Sequence, residues 1–470
     1  MLHRRRVQFR LNGATTTVAP GIPASETLLR WLRGPAGLSG TKEGCAEGDC
    51  GACTVVIEEP DGARTPINAC LVALGQLDGA SIRTVEGLSG PGGPHPIQRA
   101  MADSNATQCG YCTPGFVMAG WAHAREGGDI HEALAGTLCR CTGYRPIIDA
   151  LCGIDAPEPP PPPMPSPDAA LFETENSAFY RPTTLPELLA LRAAHPTAWL
   201  LAGGTDLGLL LAEARDRPPE IISVSAVPDL QRLDPEHGGL RVGAAVTYAR
   251  LLLAIRTLPS FTPLIPLLTR LGSRQIRGLG TLGGNLGTAS PIGDMLPPLL
   301  ALGATIRLRA PDRTRELPVG DFLLGYRRHA LADDEIIESV WLPPPPTGAA
   351  FVCEKLSKRY DQDISTVSAA CLFQIDYGTI QSARLAFGGM AASAARAIAA
   401  EAALTGAAWS QATLEAAALA LAEDFTPLSD LRGTSAYRQR AAAGLLRRLW
   451  WRLEQPDPNH GHDLQTLAPI

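Results

Sequence analysis

The sequence predicts a multidomain α+β chain. Three observations carry this. At 470 residues the chain exceeds what one hydrophobic core usually organises. Eight of its 11 cysteines fall between Cys45 and Cys141, so the first third has chemistry of its own. The proline-rich run at 156–167 cannot build helix or sheet ladders and divides this cysteine-rich third from the rest of the chain.

Taken in order, residues 1–87 read as a small β-rich domain. Val7–Leu11 and Thr15–Val18 flank Asn12-Gly13, a strong hairpin signal. Glu26–Arg33 reads as a short helix and Thr54–Glu59 as a strand. Residues 88–154 read as helical, with Phe116–Arg125 and Ile130–Leu138 as helices, and 155–170 as a linker. From 171 to 346 the pattern is mixed: a helix at Leu185–Ala194, strands at Ala198–Ala202 and Ile221–Val224, a helix at Pro263–Ile276. A second proline run at 343–346 closes that domain. A last domain, 347–453, shows strands (Ser368–Ile375, Ala383–Phe387) and then alanine-rich helices, before a polar tail at 454–470.

Composition excludes several classes. With 45% hydrophobic and 19% charged residues the chain reads as ordinary globular protein. A net charge of −6 argues against a nucleic-acid binder. No apolar run approaches the ~20 residues that span a bilayer. The basic start MLHRRRVQFRLNG leads into strand-like alternation rather than an apolar core, so it is neither a secretory nor a good twin-arginine signal, and a cytoplasmic protein is expected. In that reducing compartment dense cysteines point to metal rather than disulfides.

Cys45, Cys50 and Cys53 are spaced C-x4-C-x2-C, with Cys70 beyond. This is the plant-type ferredoxin spacing for a [2Fe-2S] cluster. Gly44, Gly48 and Gly51 let the loop wrap an inorganic core closely. A zinc site usually uses paired C-x2-4-C knuckles, so one tight trio and a distant fourth cysteine favour iron–sulfur. Cys109 and Cys112 form a C-x2-C pair, Cys139 and Cys141 a C-x-C pair; spacing alone leaves zinc and [2Fe-2S] both open there. Cys152, Cys353 and Cys371 read as small hydrophobes.

Leu200–Leu207, LLAGGTDL, reads as a strand entering a Gly-Gly turn whose freed N–H groups can bind phosphate. Gly278–Gly283 formally fits G-x-G-x-x-G. A Rossmann reading is rejected because a helix precedes it and Gly284-Asn285 is no helix start.

The segments GCAEGDCGAC, QCGYCTPG and LCRCTGYRP, in this order, resemble the two iron–sulfur domains of the xanthine dehydrogenase and aldehyde oxidase family of molybdenum hydroxylases. LLAGGTDL and RGLGTLGGNLGTASPIGDMLP resemble its flavin domain, and the likeness runs to about Arg452. The resemblance implies a ferredoxin-like β-grasp domain, a four-helix [2Fe-2S] domain, a vanillyl-alcohol-oxidase-type FAD domain and a C-terminal flavoprotein domain of the CO-dehydrogenase type. It implies a [2Fe-2S] cluster on Cys109, Cys112, Cys139 and Cys141, with Gln108 approaching the molybdenum cofactor. It implies an FAD pyrophosphate cradled by Leu200, Leu201, Ala202, Gly203, Gly204, Thr205, Asp206 and Leu207 and by Thr281, Leu282, Gly283, Gly284 and Asn285. Asp294 is implied to hydrogen-bond FAD, though a helix cap before Met295 is its plain alternative. Ile337 and Lys355 are implied to sit against the flavin. Leu271 stands where animal members carry an aromatic. No histidine lies in the phosphate-binding segments, which favours non-covalent FAD.

The function implied is electron transfer from a molybdenum cofactor through the second cluster, then the first, to FAD and on to NAD+, in oxidation of hypoxanthine and xanthine to urate. No catalytic side chain is expected on this chain. Because the chain ends at Ile470 without a molybdopterin domain, that cofactor is expected on a large partner subunit, in an α2β2 heterotetramer. Two alternatives stand beside this: the same role for an aldehyde or N-heterocycle, and a non-enzymatic zinc module fused to a flavoprotein-like scaffold.

Overall fold

The computed structural model describes residues 2–154, 158, 160–162, 164, 168–213 and 218–454. Much of the proline-rich linker, and the expected tail beyond Glu454, lie outside these residues.

The N-terminal unit is a five-stranded sheet in the order Ala14–Thr17, Gln8–Leu11, Ser81–Arg83, Thr54–Glu58, Arg64–Asn68. Asn12 and Gly13 both take positive φ, 51° and 87°, as a two-residue hairpin with matching twist requires. The helix Leu28–Arg33 starts two residues later than expected because Thr27 is its cap, accepting from Arg30 N at 3.3 Å. It buries Leu28 and Leu32 against Phe9, Val55 and Ile82.

Four helices come next: Pro96–Asp103, Thr113–Glu126, Ile130–Leu134 and Arg145–Leu151. They close around Ile97, Phe116, Trp121 and Leu151. The third stops short of the expected Leu138. After the helix the chain packs closely on its neighbours: at Gly136 a Cβ would lie 2.0 Å from Gln275 Oε1. Of the linker, Glu158 is anchored: its carboxylate meets His95 Nε2 at 2.8 Å, Trp121 Nε1 at 3.4 Å and Arg64 at 3.5 Å.

The next region has a two-stranded sheet, Leu323–Gly325 with Arg328–His329, and two five-stranded sheets. One runs His3–Arg4, Ala170–Thr174, Ser177–Arg181, Glu220–Ser223, Trp199–Leu201; the other runs Leu233–Glu236, Gly239–Gly243, Ile336–Leu342, Thr305–Arg309, Thr314–Pro318. The first strand was not foreseen. His3–Arg4 pairs in parallel with Ala170–Leu171, so the chain's start belongs to this sheet rather than to the N-terminal unit. Arg5 holds the junction with two bonds to Asp78, 2.6 and 2.5 Å. The single helix expected over 263–276 is instead three short turns, Pro259–Leu264, Ile265–Thr269 and Arg274–Arg277. Gly272 at φ +57° breaks the run, and Ser273 caps the restart at Ile276 N, 3.2 Å.

The C-terminal region is a sheet of Ala350–Leu356, Val367–Asp376, Thr379–Gly388 and Ala395–Arg396, covered by Ile398–Leu404, Gln411–Asp424 and Ser435–Glu454. Among the described residues no helix is long and apolar enough to cross a membrane.

Candidate functional site

The first cysteine loop winds through left-handed backbone at Ala46 (φ 57°), Gly48 (76°) and Gly51 (65°). A Cβ at Gly44 would lie 2.8 Å from Cys50 Sγ, and one at Gly51 would lie 2.0 Å from Gly136 O. The thiols meet in pairs, Cys45 with Cys50 and Cys53 with Cys70. Cys45 Sγ also accepts from Cys50 N (3.3 Å) and Glu47 N (3.4 Å). Donation from Cys50 leads the effects that hold the Cys45 thiol down to about 5, and Cys50 is pushed up correspondingly. Asn68 donates to Gly48 O at 2.8 Å and tightens the loop from below.

The second group also pairs, Cys112 with Cys139 and Cys109 with Cys141. Cys112 stands at the N-cap position of the helix Thr113–Glu126, without a side-chain capping bond. Burial, then the bond to Cys139, pushes its thiol up to about 12. Burial opposes ionisation of Cys139, but the Thr142 hydroxyl and N–H outweigh it and bring the thiol below its ordinary range. Cys139 N donates to Tyr144 Oη at 3.1 Å. Cys109, Cys141 and Gln108 are exposed, beside Tyr111 and Tyr144, 48% and 37% exposed. Among the described residues no three His, Cys, Asp or Glu side chains surround one ion. Two thiols facing two is instead the donor set of a diiron rhomb with two thiolates per iron, so both groups fit [2Fe-2S].

The two groups adjoin. Leu138 N, next to Cys139, donates to Cys50 O at 3.0 Å. A Cβ at Gly115 would lie 2.3 Å from Gly51 O, so the helix that follows Cys112 presses directly on the first loop.

A cavity of about 810 Å³ lies between the two five-stranded flavin-region sheets and the edge of the C-terminal region. Every predicted flavin residue lines it except Leu201 and Leu282. On the strand Trp199–Leu201 side chains alternate, so Leu200 faces the cavity and Leu201 the N-terminal core. Leu282 points into the flavin-region core while Gly283 and Gly284 line the cavity. Contrary to expectation, a helix does begin here: Thr281 Oγ1 accepts from Gly284 N at 2.9 Å and caps Leu282–Thr288. The rejection of a Rossmann motif stands on its other ground, since the helix Arg274–Arg277 precedes it where a strand is needed.

Both glycine segments are closely packed. A Cβ at Gly203 would lie 1.7 Å from Leu279 O, and one at Gly283 would lie 2.5 Å from Ala244 O. Asp294 is no helix cap. Its Oδ2 meets Lys355 Nζ at 2.7 Å and its Oδ1 accepts from Ser365 Oγ at 2.5 Å. Asp206 faces Arg327 at 3.7 Å.

The sequence reading missed several lining residues. Glu47, Gly48 and Asp49, inside the first cysteine loop, form part of the wall. Tyr248, Gln362 and His329 join it from segments without a motif, so no local signal marks them. Tyr248 Oη, Asn285 Oδ1 and both amide atoms of Gln362 are buried without a hydrogen-bond partner among the described residues. Glycine turns with room for phosphate, an apolar wall and unsatisfied polar atoms together fit FAD, and the volume lies within the range of cofactor sites.

Residues 84–152 match the family described as [2Fe-2S] binding domain, 172–345 the FAD binding domain in molybdopterin dehydrogenase, and 353–453 the CO dehydrogenase flavoprotein C-terminal domain. Xanthine dehydrogenase of Emericella nidulans is 32% identical over 523 residues, covering 94% of this chain and 38% of that protein. Xanthine dehydrogenase of Drosophila subobscura is 33% identical, covering 82% and 34%. The chain thus spans just over a third of the length of these curated relatives. Among solved structures, carbon monoxide dehydrogenase from Hydrogenophaga pseudoflava is 28% identical with a TM-score of 0.54, covering 57% of this chain and 94% of that one. Quinoline 2-oxidoreductase from Pseudomonas putida is 27% identical with a TM-score of 0.55, covering 60% and 98%.

Proposed function

This chain belongs to the molybdenum hydroxylase family, as its iron–sulfur and flavin portion, and on that premise we propose that it carries electrons from a molybdenum cofactor on a partner subunit to NAD+ during oxidation of xanthine or hypoxanthine. One observation carries the direction. The exposed Cys109 and Cys141 lie at one end, Leu138 beside Cys139 is bonded to Cys50, and the Cys45–Cys50 loop walls the flavin cavity. These contacts make a continuous series from the surface to the cavity.

When bound, two [2Fe-2S] clusters supply single-electron relay and FAD supplies the exchange between one-electron and two-electron transfer. The protein's part is to hold and insulate. Cys45, Cys50, Cys53 and Cys70 would hold one cluster; Cys109, Cys112, Cys139 and Cys141 the other. Thr142 and Tyr144 brace Cys139. Gly203-Gly204 and Gly283-Gly284 would take the FAD pyrophosphate, and the buried Lys355–Asp294 pair forms a polar part of the wall. The exposed Gln108, Tyr111 and Tyr144 around Cys109 and Cys141 support a docking face for a molybdopterin-bearing subunit, aromatics being enriched at interfaces. Two copies of each subunit is the assembly we propose, twofold closure being the commonest. The likeness to quinoline 2-oxidoreductase supports a second reading, in which the path is unchanged and the reducing substrate is an N-heterocycle.

The test is to express the chain with its molybdopterin partner. About four iron and four sulfide per chain are expected from two [2Fe-2S] clusters, with one FAD. Xanthine should bleach the flavin and the clusters, and NAD+ should restore them. Stoichiometric zinc would overturn the cluster assignment. Bleaching by quinoline but not xanthine would select the second reading.

A further inference from the structure

Resting on the FAD assignment above, we propose that Tyr248 Oη donates a hydrogen bond to FAD in this cavity, a contact that neither glycine segment supplies. Tyr248 opens the helix Tyr248–Ile255, capped by Thr247. Its backbone is tied to the second glycine segment: Tyr248 N donates to Gly280 O at 2.9 Å, and Thr247 bridges Thr281. A Cβ at Gly280 would lie 3.3 Å from Tyr248 Cδ2 and 3.4 Å from Thr205 Oγ1. The phenol ring therefore lies where the two glycine segments meet, in the cavity wall.

Tyr248 is 4% exposed, and its hydroxyl has no partner among the described residues. Asp294 is near enough for its charge to act on the phenol, yet no hydrogen bond joins the two; the Asp294 oxygens are turned to Lys355 and Ser365. Burial first, then the Asp294 charge, push the phenol up, so it stays protonated and has a hydrogen to give. A buried hydroxyl left unpaired is costly, and the cost is removed when an acceptor arrives. FAD offers ring carbonyls, ribityl oxygens and phosphates as acceptors.

The test is Tyr248→Phe, which deletes one oxygen and keeps the ring. Flavin is stripped from the purified full chain, and FAD is titrated back into wild type and variant by flavin fluorescence. Thermal unfolding of both flavin-free proteins is measured alongside. FAD should bind the variant about tenfold more weakly, the effect of one lost hydrogen bond. The flavin-free variant should unfold at the same temperature or higher, because no bond is broken in it. Equal FAD affinities would overturn the proposal, as would flavin-free unfolding lowered in step with affinity, which would mark a purely structural role. A wild-type chain that takes up no FAD would instead overturn the flavin assignment itself.

Discussion

Lys355 Nζ and Asp294 Oδ2 lie 2.7 Å apart in the wall of the flavin cavity, with side chains only 2% and 9% exposed. Lys355 lies on the strand Ala350–Leu356 of the C-terminal region, and Asp294 precedes the helix Leu296–Leu302 of the flavin region. The pair therefore joins two regions that the sequence separates. Removing one partner of such a pair strands a buried charge and typically costs about 3–5 kcal/mol. Lys355→Met should lower stability by about 3 kcal/mol in urea unfolding, since Ser365 still serves one Asp294 oxygen. Adding Asp294→Leu should recover part of that loss. A single variant as stable as wild type would show that the pair contributes nothing to joining the regions.

Gly203→Ala should strip FAD and spare iron. The added Cβ would lie 1.7 Å from Leu279 O, a backbone atom that cannot step aside without moving the second glycine segment. Gly320→Ala is the control, because its nearest neighbour would be Leu300 Cδ2 at an ordinary 3.6 Å. Flavin absorbance and iron content of the two purified variants are the measurement; a fully flavinated Gly203→Ala would refute the cradle.

Replacing Cys50 by Ser should remove one paramagnetic resonance signal from the reduced protein and keep the other, and Cys112→Ser should do the converse. Each cysteine belongs to a different set of paired thiols, and thiolates are what hold such clusters. Both signals surviving either change would show the ligand sets to be wrong.

Acid should weaken the fold partly through His329. This side chain lies on the Phe322 ring, 5.4 Å between centroids and 8° between planes, and burial lowers its pKa. An unfolded histidine titrates near ~6.5. Below that pH the unfolded chain takes up a proton the folded one resists, so this contribution is complete above ~6.5 and falls away as pH drops. Unfolding midpoints measured from pH 8 to pH 5 should decline less steeply for His329→Phe than for wild type. Parallel declines would remove His329 from the account; His95 and His123, also lowered by burial, would then carry it.

The legible parts of the molecule were those whose physics is local. Asn12-Gly13 demands a hairpin because both residues must take positive φ, and they do. The spacing of Cys45 and Cys50 limits how a short loop can turn, so these two sulfurs meet, while Cys53 finds its partner, Cys70, only across the fold. Local reading failed where a cap or a distant neighbour decides. Thr281 starts a helix through three glycines that propensity argues against, because its hydroxyl satisfies Gly284 N and the segment packs on Ala244. The helix expected to reach Leu138 stops at Leu134, and beyond it Gly136 packs on Gln275, far along the chain, too closely for any side chain.

By itself the sequence determined the spacing of the first cysteine group and the two glycine-rich turns, and its family resemblance pointed to the second cysteine group, Asp294 and Lys355 as the residues proposed to carry the chemistry. Only the tertiary structure decided how they are joined. His3–Arg4 enters a sheet built mainly from residues beyond 169, Glu47–Asp49 form a wall of the flavin cavity, and Tyr248 comes against Gly280. The physical reason is range. Spacing, turns and caps act over a few residues and are written in order along the chain. A shared wall depends on which surfaces pack once every element is formed, and no short stretch of sequence records its partner.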